Sequence, residues 1–219
     1  LKRFADYIYT ASFDVSKDRK TLVAADLNFP ELSLWHTATG IKAAAIEVDR
    51  PVTGVMLSAD GQKAWAKQWI SAGQYDLRAG KELAQYISFK DGEWIVITKE
   101  GYYNASSGGE RYLSVRVNDQ VYGIENYREA FFRPDLVKIA LSGGSLQNYR
   151  KLGDIKQPPS VQIVDTPASV NTDEVTVRLS LSDQGGGIGD IRLYLNGTAV
   201  IMDSRAVVIR EKAGQPVFK

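Results

Sequence analysis

A phrase occurs twice in this chain, and a repeat with a period of about forty residues sharply restricts the folds open to it. Ser16-Lys17-Asp18-Arg19 leads to Leu34-Trp35-His36 and then Thr39-Gly40; Ser58-Ala59-Asp60-Gly61 leads to Gln74-Tyr75-Asp76 and then Ala79-Gly80. The offset is 42 residues between the serines and 40 between the closing glycines. Such a period points to a stacked or radial array, whose surfaces usually bind partners rather than catalyse.

The residues between the phrases read as short strands. Thr21–Ala25, Leu32–Trp35, Ala43–Val48, Val52–Leu57, Lys63–Lys67 and Trp69–Tyr75 are rich in β-branched, aromatic or small apolar residues. Turn residues separate them: Asp18-Arg19, Asn28-Phe29-Pro30, Thr39-Gly40, Asp49-Arg50-Pro51, Asp60-Gly61 and Ala79-Gly80. Short strands at regular spacing with turn chemistry between them predict an all-β array. One four-stranded sheet cannot bury both of its faces alone, so copies pack face to face.

The two copies resemble WD40 propeller blades, whose signature is a Ser-x-Asp-Gly turn, a Trp-Asp-type dipeptide and Thr-Gly. The first has His36 where Asp is usual, and the second has Tyr75 where Trp is usual. Both rings are expected between neighbouring sheets. Residues 1–98 are thus expected to hold two blades, and Phe89-Lys90-Asp91-Gly92 opens a third that would run to about residue 117. Two blades do not close a ring, since closed propellers have about four to eight.

Residues 99–155 change character. Tyr112–Val117 and Val121–Tyr122 read as a hairpin over Asn118-Asp119, and Glu125–Phe132 and Asp135–Leu141 have helical apolar spacing. Pro134 suits the start of the second helix, Gly143-Gly144 its end, and Ser145 is a candidate N-cap for a short helix through Leu152. Lys156-Gln157-Pro158-Pro159 reads as a linker. From 160 to 219 the pattern alternates with period two, and Asn196-Gly197 is a strong hairpin signal. This predicts an immunoglobulin-like β-sandwich, cut short at about 60 residues where about 90–100 are usual.

Composition excludes several kinds of chemistry. The chain has no cysteine, so a disulfide, a thiolate metal site or a cysteine nucleophile has no residue to form it. Net charge is +1, from 27 basic and 26 acidic residues, which argues against binding of nucleic-acid duplexes. No apolar run approaches the roughly 20 residues of a membrane span. The chain opens on Leu1 without a methionine or signal-peptide core, and reads as a piece of something longer.

The candidate sites are few. His36 is the sole histidine, and spacing sets no nucleophile beside it, so a hydrogen-bonding role at its strand is the expectation and catalytic residues are expected to be none. Asp183-Gln184-Gly185-Gly186-Gly187-Ile188-Gly189-Asp190 lacks the Lys-Ser/Thr of a phosphate loop and reads as an inter-strand loop. Its two carboxylates are too few to argue for calcium, and neither cofactor nor metal is expected. Glu100 and Glu110 are the only trace of a glycosidase pair, with no separation fixed. The stretch 101–112 sets Tyr102, Tyr103, Asn104, Arg111 and Tyr112 among Ser and Gly residues. Either it is a strand followed by a surface loop, or it is a recognition surface built on tyrosine.

Several phrases together resemble a wider architecture, the bacterial WD40–caspase-like proteins of peptidase family C14. They are Asp91-Gly92-Glu93-Trp94, Glu100-Gly101-Tyr102-Tyr103-Asn104-Ala105-Ser106, Gly108-Gly109-Glu110-Arg111-Tyr112-Leu113, Tyr127-Arg128-Glu129-Ala130-Phe131 and Arg133-Pro134-Asp135-Leu136-Val137. The resemblance implies an Ig-like module beyond Pro158, a cytoplasmic or periplasmic bacterial setting, and a protease domain outside this sequence whose Cys and His have no counterpart here. It implies a non-catalytic scaffold for protein partners or for a protease in cis. The alternative is an exported carbohydrate-binding or hydrolase accessory region whose Tyr102–Tyr112 loop meets sugar rings.

Overall fold

The computed structural model describes residues 10–26, 29–165, 171, 177–188, 193–195, 198–200, 209–212 and 215–218. The protein is mainly β, in several antiparallel sheets with none closed into a barrel. It divides into two units, Leu1–Arg116 with Val121–Leu152, and Val117–Gln120 with Gly153–Lys219.

In the first unit, β1 (Thr10–Val15), β2 (Thr21–Asp26), β3 (Glu31–His36) and β4 (Ile41–Glu47) form one sheet in sequence order. A second sheet holds β5 (Gly54–Leu57), β6 (Lys63–Lys67), β7 (Ser71–Asp76), β8 (Lys81–Ser88), β9 (Trp94–Ile97) and β10 (Tyr103–Ala105), again in order. The repeat holds down to single hydrogen bonds. Leu22 lies opposite Trp35 as Ala64 lies opposite Tyr75. A bulge between Leu34 and Trp35 skips Ala43, and one between Gln74 and Tyr75 skips Leu83. In the first turn Ser16 Oγ accepts from Thr21 N (3.0 Å) and donates to Asp18 Oδ1 (2.6 Å); in the second, Ser58 Oγ accepts from Lys63 N (2.9 Å) and donates to Asp60 Oδ1 (2.5 Å). The Ser-x-Asp spacing is therefore an interlocked turn, which is why it recurs.

Alternate residues of a strand share a face, and those faces meet between the sheets. Val23, Ala25, Leu32, Leu34, Ile46 and Val48 from the first repeat pack with Val52, Ala64, Ala66, Tyr75 and Leu77 from the second. Each larger aliphatic side chain so buried stabilises the pair by roughly 1.5–3 kcal/mol. Tyr75 is fully buried, and Gly73 leaves room for its ring, since a Cβ there would stand 2.6 Å from Tyr75 Cε2. β1 runs beside β5 in the same direction, joined to it by side chains: Val55 N donates to Ser12 Oγ (3.1 Å) and Leu57 N to Asp14 Oδ2 (2.7 Å).

The strands expected to open a third blade do form, but elsewhere. β9 pairs with the outer edge of β8, and β10 with β9, so they widen the second sheet instead of starting another. No crossover like residues 48–53 separates β8 from the Phe89–Gly92 turn, so the chain doubles straight back along β8. Phe89 N donates to Glu93 O (2.9 Å) and Gly92 takes φ 87°, a tight hairpin that keeps β9 alongside β8.

The first helix is shorter than its periodicity predicts, and the second forms over the expected span. A 3-10 turn at Ile124–Tyr127 leads into α1 (Arg128–Phe131), and α2 spans Pro134–Leu141. Pro134 sits at the start of α2 as expected. Gly143 (φ 92°) closes α2, with Gly143 N donating to Ala140 O and Gly144 N to Ile139 O, a Schellman motif. Lys63 Nζ donates to Leu141 O (2.6 Å), setting a cation at the negative end of α2. The helix expected from Ser145 to Leu152 is absent. Ser145 Oγ accepts from Gln147 N (3.3 Å) in a local turn, and the carbonyl of Arg150 is taken by Tyr102 OH (2.5 Å). A short hairpin, β11 (Ser114–Val117) and β12 (Gln120–Gly123), turns at Asn118 with φ 54°; a 3-10 turn at Gly109–Tyr112 replaces the expected start of its first strand.

The second unit contains a four-stranded antiparallel sheet ordered β13 (Ser160–Asp165), β14 (Arg178–Ser182), β18 (Gln215–Phe218), β17 (Ile209–Lys212), and a hairpin of β15 (Leu193–Leu195) with β16 (Thr198–Val200). Leu195 faces Thr198 across the two-residue loop that Asn196-Gly197 predicts; those two residues lie outside the described ones. The residues expected as a linker are tied into this unit, with Gln157 bridged to Gly185 and Pro158 buried.

Candidate binding surface

An antiparallel meander sends successive turns to alternate ends, and the parallel run of β1 and β5 gives both sheets the same polarity. Turns 16–20, 37–40, 58–62, 77–80 and 98–101 therefore share one end; Phe29-Pro30, 48–53, 68–70, 89–93 and 106–112 share the other. The first end is polar and built from Ser, Asp, Thr and Gly. The second presents aromatic residues: Trp69 is 92% exposed and Phe29 62%, with Ile70, Trp94 and Tyr112 also exposed. Phe29 and Trp69 stand at the same place in the two repeats, two residues before the third strand of each sheet.

The proposed tyrosine surface is divided by this arrangement. Tyr102 (2% exposed) and Tyr103 (0%) are core residues, not contact residues. Tyr102 packs on Phe131 (5.6 Å between centroids) and edge-on to Tyr149 (6.4 Å), and burial raises its phenol pKa. Tyr103 packs on Phe132 and donates to Glu110 Oε1 (3.2 Å); burial first, then the Glu110 charge, pushes its pKa up. Asn104 is half-buried on β10. Arg111 and Tyr112 are exposed and belong to a different group. Tyr112 stacks on Phe89 (3.8 Å, 13°), Arg111 lies over the Tyr112 ring (5.1 Å), and Asp91 accepts from both. Those bonds, the Tyr112 hydroxyl foremost, hold the Asp91 carboxyl below its usual pKa.

The Ser and Gly residues of this segment are pinned rather than adaptable. Glu93 accepts from Ser106 Oγ and from Gly108 N (3.0 Å), and Ser106 Oγ accepts from Trp94 N (2.9 Å). A Cβ at Gly109 would stand 2.5 Å from the Trp94 carbonyl. Sequence reasoning assigned Trp69 to a strand and passed over it; its 40-residue correspondence with Phe29 was the available signal.

The other candidates have structural places. His36 is exposed at the end of β3, where Asp76 in the second repeat accepts from Arg78 N (2.9 Å) and Ala79 N (2.8 Å). Glu110 is held by Arg128 Nε (3.0 Å to each oxygen), at the opposite end of β10 from Glu100. Asp183 Oδ1 accepts from Gly185 N (2.8 Å) and Gly187 N (2.9 Å), closing the glycine-rich loop on itself; Asp190 lies outside the described residues. Among the described residues no group of three or more His, Cys, Asp or Glu could hold a metal, and no helix is long and apolar enough to cross a membrane.

No protein-family model matches the chain, and no curated protein matches it. Among solved structures it is similar to one described as the structure of U3-55K, at 13% identity and a TM-score of 0.35. That match covers 48% of this chain and spans 41% of the other's length, a likeness too slight to carry an argument.

Proposed function

We propose that this chain is a non-catalytic protein-binding region of a WD40–caspase-like protein, with two WD40-type blades in its first unit and an Ig-like module in its second. The observation that carries the reading is the pair of exposed aromatics, Phe29 and Trp69, set at one end of the sheets by the same turn of both repeats. Large exposed rings at matched positions suit a contact surface. The family phrases support the assignment to that architecture, in which the protease lies elsewhere. The carbohydrate reading loses Tyr102 and Tyr103 to the core and keeps only Tyr112 from its loop.

Affinity capture with the full chain tests this. Trp69→Ala with Phe29→Ala leaves the fold intact, because both rings lie outside the core, and weakens retention of a specific protein partner about tenfold, as loss of an interface anchor does. Binding to a polysaccharide array that disappears with Trp69→Ala, or protein capture indifferent to both substitutions, overturns the proposal.

A further inference from the structure

We infer that the outer edge of β4 is a docking site for an extended peptide, which adds there as an antiparallel fifth strand. The molecule holds its own precedent. β4 and β8 are the fourth strands of the two repeats, matched residue for residue: Ala45 faces Ser33 as Gln85 faces Gly73, and Ile46 faces Leu32 as Tyr86 faces Ala72. The edge of β8 is taken by β9, with Gln85 opposite Ile97, Tyr86 opposite Val96 and Ile87 opposite Ile95. The edge of β4 has no strand beside it among the described residues, and Ile41 to Ala45 are all exposed.

Exposed sheet edges are normally guarded by a proline, a charge or a bulge aimed at the edge. Here the bulge falls at Ala43, so the strand from Ala44 to Glu47 is regular, and Lys42 is engaged by Glu31 (2.6 Å) across the sheet. Three consecutive alanines leave the backbone open to approach. Transferring the β8–β9 register by 40 residues sets Ala45, Ile46 and Glu47 opposite the positions held by Ile97, Val96 and Ile95. The occupant is therefore an extended peptide of consecutive β-branched residues like Ile95-Val96-Ile97, bound by main-chain hydrogen bonds in the manner of β-augmentation. β9 is in turn covered by β10, whereas a strand on β4 has no such cover, so the added peptide binds weakly and exchanges readily. This edge is distinct from the aromatic turns, and either site stands without the other.

Because the chain has no cysteine, disulfide trapping reads the register directly. The probe is a synthetic peptide, Gly-Glu-Trp-Ile-Val-Cys-Thr, the sequence of 92–98 with cysteine at the Ile97 position, mixed with full-length Ala45→Cys or Ala44→Cys in a glutathione buffer. Directly opposed residues of a pair lie about 4.5–5.5 Å apart at Cβ and adjacent residues face away. Ala45→Cys is expected to cross-link about tenfold more than Ala44→Cys, and alternate N-methylation of the peptide abolishes the product, since it removes the ladder donors. Equal yields at the two positions, or a product that survives N-methylation, overturn the proposal. So does Ala45→Cys joining to a second copy of itself in preference to the peptide, which would make the occupant another copy.

Discussion

Arg19 occupies the turn position that Gly61 holds in the second repeat, and both have positive φ, 59° and 67°. A side chain at such an angle costs roughly 1 kcal/mol that glycine avoids. Arg19→Gly is expected to raise stability by about 0.5–1 kcal/mol in chemical denaturation, the gain reduced by glycine's freedom in the unfolded chain. His36→Asp restores the carboxylate that Asp76 uses to hold two amides, and should raise the melting temperature by a few degrees, about 2–4 °C per kcal/mol for a chain of this size. The same turns make the protein acid-sensitive. Asp18 and Asp60 have carboxyl pKa values lowered from 3.8, foremost by the Ser16 and Ser58 hydroxyls. A depressed carboxylate contributes stability above its unfolded pKa and loses it as pH falls through the folded one. The unfolding midpoint should therefore drop below about pH 4, and less steeply in Asp18→Asn with Asp60→Asn. These turns were fully legible in the sequence because each is closed by residues within five positions of one another. Tyr102 and Tyr103 were not, because a tyrosine reads alike in a core and on a surface; what distinguishes them is Phe131 and Phe132, brought in by a helical segment that spacing alone does not place, and Glu110 on the 3-10 turn after β10.

At the scale of elements, the expected strands form within a few residues and the two expected hairpins pair. β1 and β8 carry no strand signal strong enough to read, and β9 joins a sheet other than the one expected. β9 and β10 read as strands, but membership of a sheet depends on the connection: residues 48–53 separate β4 from β5, whereas β8 runs directly into the Phe89–Gly92 hairpin. The helix expected after Ser145 does not form: the stretch holds a single turn, with Tyr149 N donating to Leu146 O (3.1 Å). β7 depends on a single small residue. Gly73→Ala sets a methyl group against the buried Tyr75 ring, and should destabilise the protein by about 1–3 kcal/mol, the usual range for an overfilled core. Denaturant unfolding of Gly73→Ala, with and without Tyr75→Leu to remove the ring, checks whether the ring is the cause: the glycine substitution should cost less in the Tyr75→Leu background.

Among the described residues of the first unit the two sheets share no strand; an apolar core and the bonds at Ser12 and Asp14 join them. Asp14 accepts from its own neighbour, Val15 N (2.8 Å), and from Leu57 N in the other sheet. Asp14→Ala should cost about 1.5–3 kcal/mol and leave the Leu57 amide unprotected in hydrogen exchange, whereas Asp14→Asn keeps an acceptor and should lose less. The join also has a direction. β1 offers Ser12 and Asp14, but the residues of β5 at the matching positions, 42 further on, are Gly54 and Met56, which have no side-chain oxygen to pass along. A row of sheets built on this coupling has an acceptor side and a blunt side, and the second sheet ends it: the chain spends its next two strands on broadening that sheet, where backbone alone makes the connection.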